Sequence, residues 1–172
     1  MDKVNIYIDS NVIVAAELEE ERDHKESRNF MNVILEKENK NIVAHTSIFT
    51  VVELASAMFR RTKNIDKTYS LIYRLESLWN RKASIFTVEP VLGKGEMSFN
   101  NLINALLDVV IKFSVPAADA IHAHTVAEYE MHYLVTWNKR HFVGLGEGIE
   151  DLKIMTPTEM LDEMTNIENE NK

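Results

Sequence analysis

The sequence predicts one α/β domain built on a parallel sheet. Short β-branched and aromatic runs alternate with amphipathic helical patterns along the whole 172-residue chain. No hairpin signal joins any two strand candidates, so the connections are expected to be crossovers that place helices on both faces of the sheet. A chain of 172 residues is long enough for one domain with a sizeable core.

The predicted elements follow one another in a regular order. Strands are expected at residues 5–8, 41–44, 84–88, 133–136 and 153–155. Apolar residues at helical spacing predict helices at 28–38, 47–61, 66–82, 98–113 and 117–130. A last short helix begins at Thr156-Pro157, because proline suits a first helical turn. Residues 1–165 form the predicted domain, and the polar residues 166–172 are expected to be a frayed tail.

Composition excludes several kinds of protein. The absence of cysteine excludes a disulfide framework, a zinc–thiolate site and a thiol nucleophile. Asp9, Ser10 and Asn11 interrupt the apolar N-terminal stretch, which makes it a poor signal peptide. No segment approaches the roughly 18 apolar residues of a transmembrane helix. We therefore expect a cytoplasmic protein without a membrane partner. The glycine-rich stretch 144–148 lacks the context of a phosphate-binding loop and is interpreted as a flexible connection.

Charge is distributed unevenly around a net value of −8. Residues 57–82 include seven basic and two acidic residues, whereas residues 147–172 include eight acids and two lysines. A local basic ridge can attract a phosphate chain despite a negative total, although solvated helix faces give the same pattern. In this segment, the helical spacing of Tyr69, Tyr73 and Trp79 favours core positions over base stacking.

Three carboxylates occupy positions that suit chemistry, and each has a simpler interpretation. Asp9 follows the first strand, where parallel sheets bind ligands, but it is also a good helix cap. Glu53 lies among apolar neighbours with no basic residue one turn away, so it either faces water or needs a partner such as a metal ion. Asp119 begins a helix whose dipole alone would favour it. His122 lies on the same helical face and is a candidate hydrogen-bond partner, although a lone helical histidine is more often structural. Sequence spacing does not show whether residues 9, 53 and 119 meet.

Four motifs resemble the PIN-domain family, and in particular the VapC-like toxins of prokaryotic toxin–antitoxin pairs. They are YIDSNV at 7–12, TVVEL at 50–54, PAADAIHA at 116–123 and LVTWNKRHF at 134–142. The closing IMTPTE at 154–159 is similar to the family's last strand and helix. Each motif alone is unspecific, but they occur in the family's order and span nearly the whole chain.

The resemblance implies a three-layer α/β/α sandwich with a mostly parallel five-stranded sheet and an acidic pocket for Mg²⁺ or Mn²⁺. It carries the metal-binding and catalytic roles onto Asp9, Glu53 and Asp119. Many relatives have a further acid after the fourth strand, where this chain has Asn138 and His141. Asn138 is a weaker candidate ligand, so one ion is expected and a second is left open. The expected supporting residues are Ser10, Asn11, Thr136 and His122.

The activity implied by the resemblance is that of an endoribonuclease. Metal-activated water would hydrolyse the phosphodiester bond and leave a 5′-phosphate and a 3′-hydroxyl. The implied partners are RNA, a small antitoxin protein and a second copy of the chain. The basic ridge supplies the candidate RNA-binding residues Arg60, Arg61, Lys63 and Lys67.

The main alternative is a non-catalytic PIN-like module that binds RNA or protein and has a weakened metal site. A haloacid-dehalogenase-like phosphatase would need a second Asp where this chain has Asn11. A receiver-type domain would need an acidic pair at the end of the first strand, which the sequence lacks. The sequence does not distinguish a toxin from a housekeeping ribonuclease.

Overall fold

The structure is a computed structural model that describes residues 3–36, 42–82, 85–88 and 99–170. Strands and helices alternate along it as the sequence predicts. The strands are β1 Val4–Ile8, β2 Ile42–Ser47, β3 Ile85–Val88, β4 Tyr133–Val135 and β5 Lys153–Met155. The helices are α1 Ser10–Glu17, α2 His24–Glu36, α3 Ile48–Thr62, α4 Ile65–Lys82, α5 Phe99–Phe113, α6 Ala120–Glu128, α7 Val143–Gly148 and α8 Pro157–Glu170. A 3-10 turn covers Lys139–His141. Some predicted ends, at residues 37–38, 41, 84, 98 and 171–172, lie outside the described residues.

The five strands form one sheet in the order β3-β2-β1-β4-β5. Every neighbouring pair is parallel, which confirms the predicted parallel sheet. β1 lies at the centre between β2 and β4, and Ile8 at its end is in register with Val135. Parallel strands end at the same edge of a sheet, so the residues that follow β1, β2 and β4 are brought close together.

Both faces of the sheet are covered by helices, which gives the predicted three layers. Ile6 and Ile8 of β1 belong to a core built with α1, α2, α3, α4 and α8. Tyr7 points to the opposite face, into a second core built with α5, α6 and α7. This alternation follows from the two-residue period of a strand. Because both faces are buried, the last three residues of β1 are almost wholly apolar, as is typical of a central parallel strand.

The interpretation of residues 144–148 as a flexible connection is wrong, because they form most of helix α7. A Cβ atom at Gly144 would overlap the backbone carbonyl of Phe113, so glycine is needed there for close packing of α7 on the end of α5. At Gly144, the glycine that suggested a loop therefore reflects a close approach of two backbones.

Two further expectations are corrected at the surface. Tyr69 and Tyr73 are 57% and 65% exposed, so only Trp79 of the three aromatic residues lies in the core. The helical spacing was right, but these two tyrosines lie on the outer side of α4. α8 extends to Glu170, so the helix takes in residues 166–170 of the segment expected to be a frayed tail. No described helix has both the length and the apolar character needed to cross a membrane.

Candidate active site

The residues that follow β1, β2 and β4 lie at the carboxyl edge of the sheet. Asp9 follows β1 and precedes α1, and Thr136 follows β4. α3 begins directly after β2, and its first turn is capped by Ser47, whose Oγ accepts a hydrogen bond from the Phe49 backbone N–H at 3.1 Å. Glu53 lies on the second turn of this helix. The short connections after β1 and β2 thus fix Asp9 and Glu53 at the same end of the sheet.

Asp9 is buried and surrounded by neutral hydrogen-bond donors. Its Oδ2 accepts from Asn11 Nδ2 at 2.7 Å and from the Thr136 hydroxyl at 2.6 Å. The Ser10 hydroxyl donates to Oδ1 at 3.3 Å. Asn11 also donates to Thr136 Oγ1 at 3.0 Å, so the three side chains form a closed network. Ser10, Asn11 and Thr136, which the sequence suggests as supporting residues, thus all contact Asp9.

The environment of Asp9 raises the pKa of its carboxyl group. Burial is the largest cause, and the neighbouring charges of Asp119 and Glu53 act in the same direction. The charge of His122 and the hydrogen bond from Thr136 oppose the rise without cancelling it. A carboxylate held in this way gains from a nearby cation, since a cation offsets both the burial and the repulsion.

Glu53 is held by a buried chain of side chains that starts inside the protein. His122 Nε2 lies 2.8 Å from Glu53 Oε2, and His122 Nδ1 lies 2.7 Å from the Tyr7 hydroxyl. His122 is 1% exposed and Tyr7 is fully buried, whereas the Glu53 side chain is 42% exposed. The chain therefore runs from the second core to the surface of the site, and it supplies the partner that Glu53 lacks on its own helix.

The pKa values of this pair shift in opposite directions. Burial raises the pKa of Glu53, but hydrogen bonds from His122 and Ser10 outweigh it and leave the pKa below its usual value. Burial lowers the pKa of His122, but the hydrogen bond to Glu53 and the charges of Asp9, Glu53 and Asp119 leave it raised. The arrangement therefore favours an ionised Glu53 beside a protonated His122.

Asp119 is held by a second histidine. Its Oδ2 lies 2.9 Å from His141 Nδ1, and the two side chains are 19% and 29% exposed. His141 closes the 3-10 turn after β4, so it occupies one of the two positions where a fourth acid was sought. Asn138, at the other position, is exposed, and its backbone N–H donates to Thr136 Oγ1 at 3.0 Å.

The helix-cap interpretation of Asp9 does not describe its side chain, and Asp119 likewise makes no capping contact at the start of α6. Both residues stand at N-cap positions, of α1 and α6, yet neither carboxylate makes a capping hydrogen bond. Their oxygens contact Asn11, Thr136 and His141 instead. Both carboxylates are thus turned toward the site and away from the helix ends that follow them.

The donor chemistry of the site fits a hard divalent cation. Carboxylate oxygens are the ligands that Mg²⁺ and Mn²⁺ prefer, and the charges of Glu53 and Asp119 reach Asp9. Each histidine contacts one oxygen of its carboxylate, so the same carboxylate can bind a cation through the other. Among the described residues, no three such side chains are positioned to hold an ion as they stand. The carboxylates would therefore have to move to gather around one.

Comparison with solved structures reveals similar folds at low sequence identity. VapC20 of Mycobacterium tuberculosis, described as a sarcin–ricin loop cleaving toxin, is 11% identical, with a TM-score of 0.53 over 75% of this chain and 86% of that one. A toxin–antitoxin complex from Klebsiella pneumoniae is 14% identical, with a TM-score of 0.52. VapBC2 of Rickettsia felis, bound to a promoter DNA fragment, is 13% identical, with a TM-score of 0.54. Each of the latter two likenesses covers 88% of this chain and 97% of the other chain.

The chain has a PIN-like fold similar to that of the VapC structures. The fold expected from the four motifs is thereby confirmed, including the central sheet and its helical layers. No family model matches the sequence, and no curated protein matches it either. At identities of 11–14%, the likeness describes architecture and leaves the chemistry of the site to be argued from its residues.

The basic residues of this VapC-like fold differ in the side chains that they contact. Arg61 forms an ion pair with Glu21, and Arg74 contacts Glu17 at 2.7 Å. Arg60 instead donates to the Ser56 hydroxyl at 3.0 Å. Lys63 and Lys67 are exposed, one at the end of α3 and one in the first turn of α4. Arg81 and Lys82 end α4, but their side chains lie outside the described part of the structure.

Sequence reasoning missed Tyr7, and it missed His141 as a partner of Asp119. Tyr7 carries the one polar group among the last three residues of β1, and a buried tyrosine hydroxyl needs a partner. That signal was present in the sequence, but its partner His122 is 115 residues away. His141 was weighed only as a substitute for an acid, although a histidine can also orient one.

Proposed function

We propose that this protein is a divalent-metal-dependent endoribonuclease that acts as the toxin of a toxin–antitoxin pair. The observation that carries the proposal is the group of three carboxylates turned toward one edge of a VapC-like fold. The charges of Glu53 and Asp119 both act on Asp9, and none of the three carboxylates is paired with a lysine or arginine among the described residues. A cation is the simplest means of balancing such a group.

In the proposed mechanism, Asp9, Glu53 and Asp119 would hold Mg²⁺ or Mn²⁺, with Asn138 as a weaker candidate ligand. The ion, when bound, supplies a Lewis acid that activates water and offsets charge developing on the phosphate. Asn11 and Thr136 keep the Asp9 carboxylate in one orientation, and His122 does the same for Glu53. His141 restrains Asp119. One ion is proposed, because Asn138 and His141 replace the fourth acid of many relatives.

The decisive experiment measures RNA cleavage by the purified protein. We expect cleavage of structured RNA with Mn²⁺ or Mg²⁺, none with EDTA, and products that carry a 5′-phosphate and a 3′-hydroxyl. Asp9→Asn should lower the rate by at least 100-fold, because the variant removes a charged group that no neighbour replaces. Asp108→Asn, an exposed position on α5, is the matched control and should cleave normally. Cleavage that persists in EDTA and in Asp9→Asn would end the proposal.

The alternative, a non-catalytic module that binds RNA or protein, is favoured by one feature. Asp119 and Glu53 are each engaged by a histidine, and no described group of three ligands is ready to hold an ion. Calorimetric titration with Mn²⁺ separates the two proposals. Binding that disappears in Asp119→Asn supports the nuclease, whereas no binding to the wild-type protein supports the module.

The proposed partners follow from the toxin assignment. The Klebsiella and Rickettsia structures are described as a toxin–antitoxin complex and as VapBC2, which supports a small antitoxin partner for this chain as well. We place its action in the cytoplasm, where its RNA substrate is found. A gene for a small protein directly beside this one is the simplest check. A homodimer is also proposed, and light scattering of the purified protein tests it.

A further inference from the structure

One face of α3 leads from the proposed active site to the end of the helix and is polar or cationic along much of its length. Consecutive residues on a helix are about 100° apart, so residues 53, 56 and 60 share an arc of the surface. Ser56 and Arg60 are exposed, and Lys63 follows at the C-cap of the helix. We name Ser56, Arg60 and Lys63 the α3 face.

The cations of this face are available to a ligand. Among the described residues, neither Arg60 nor Lys63 forms an ion pair. The Arg60 guanidinium instead donates to Ser56 Oγ at 3.0 Å, one turn closer to Glu53. This contact directs the positive charge back along the helix toward the carboxylates. With a rise of about 1.5 Å per residue, Arg60 lies only about 10 Å along the helix axis from Glu53.

The neighbouring arginines differ in this respect. Arg61 points about 100° away from Arg60 around the helix and pairs with Glu21 of the α1–α2 connection. Arg74 contacts Glu17, a side chain only 9% exposed that also binds Arg28 at 2.8 Å. These arginines connect α3 and α4 to α1 and α2. Arg61 and Arg74 are each already paired with a carboxylate, although Arg28 and Arg74 share Glu17, so a phosphate gains less from them than from Arg60 and Lys63.

We infer that an RNA strand leaves the active site along the α3 face, with its phosphates contacting Arg60 and Lys63. This inference rests on the proposed ribonuclease function and assigns the direction in which the substrate lies. Charge complementarity supports it, because these cations lie close to an acidic site in a chain of net charge −8. Apolar surface beside the face, on Val52 (63% exposed) and Phe49 (40% exposed), suits contact with bases.

The test compares two double variants in the same binding assay. Fluorescence anisotropy follows a labelled single-stranded RNA bound to the full-length protein in EDTA, over a series of KCl concentrations. Each phosphate contact on a single strand contributes about 0.7 to the slope of log affinity against log salt concentration. We expect Arg60→Ala/Lys63→Ala to reduce the slope by about 1.4. Arg61→Ala/Arg74→Ala removes the same formal charge and should leave the slope unchanged.

The outcomes separate this inference from the proposed function. Equal slopes for the two double variants, or a larger effect of the Arg61/Arg74 pair, would contradict the proposal that RNA contacts the α3 face. So would the absence of RNA binding by the wild-type protein in 50 mM KCl. If wild-type protein cleaves RNA with Mn²⁺ while the slopes are equal, the nuclease proposal stands without the face. If the slopes differ as expected but Mn²⁺ produces no cleavage, RNA binding by the α3 face is supported and the nuclease proposal fails.

Discussion

The two halves of the acidic site are built in different ways. In the strand half, Asp9 is buried and held by the neutral donors Asn11, in the first turn of α1, and Thr136, directly after β4. In the helix half, Glu53 and Asp119 are partly exposed and are held by His122 and His141. The strand half is thus part of the core, whereas the carboxylates of the helix half also face water. We expect fold stability and function to be coupled in the first half and largely separable in the second.

The largest effect on stability is expected for Thr136→Val in the strand half. Thr136 is fully buried, donates to Asp9 and accepts from both Asn11 and the Asn138 backbone N–H. Loss of its hydroxyl leaves buried polar groups unpaired, at a cost of about 1–3 kcal/mol. We expect a lower free energy of unfolding in urea together with slower RNA cleavage. Thr136→Ser keeps the hydroxyl and is the control; a stable but inactive Thr136→Val would contradict the coupling.

A smaller effect on stability is expected for His122→Leu in the helix half. The variant leaves the buried Tyr7 hydroxyl without its histidine partner and Glu53 without its restraint. Replacing both polar partners by apolar groups is nearly neutral, so Tyr7→Phe/His122→Leu should recover most of the lost stability. Mn²⁺ affinity, measured by calorimetry, should stay about 10- to 100-fold weaker in the double variant, as for lost outer-shell partners. Recovery of metal affinity along with stability would show that the chain only supports the fold.

The smallest effect on stability without metal is expected for His141→Asp. The variant places a carboxylate beside Asp119 at the position where many relatives have an acid, so the two charges repel in the absence of a cation. Mn²⁺ should therefore raise the melting temperature of this variant more than that of the wild-type protein. His141→Asn is the uncharged control. An equal Mn²⁺ effect in all three proteins would mean that this position does not face the bound ion.

Most of the fold was predictable because its signals are local. β5 matches its predicted bounds, and the β-branched and helical patterns locate most of the other described elements. The apolar pattern of α3 did not give its buried face, because Phe49, Val52 and Phe59 are exposed whereas Thr50 and Leu54 are buried. α6 begins at Ala120 and not at 117, since residues 116–119 form a turn in which the Asp119 N–H donates to Pro116 at 2.9 Å. Element ends depend on such single hydrogen bonds, which residue type alone does not specify.

The site was predictable in its carboxylates but not in their partners. Asp9, Glu53 and Asp119 were found through motifs, and His122 was recognised as a candidate on the face of α6. The contact between His122 and Glu53 joins residues 69 positions apart, and no periodicity encodes such a distance. The same limit applies to Arg60 and Arg61, whose different uses follow from acids on another connection. Adjacent and chemically identical residues were indistinguishable until the packing was known.

The close contact of α7 with α5 has a consequence for how the chain can vary. Gly144 lies three residues after His141 and packs against the Phe113 carbonyl, six residues before Asp119. This contact limits the separation of the two backbone segments that present the His141–Asp119 pair. Gly144 thereby helps to hold the His141–Asp119 pair in place, although it contacts neither side chain through a hydrogen bond. Tolerance to substitution at Gly144 should be low for this reason, and a screen limited to the carboxylates and their hydrogen-bond partners would overlook it.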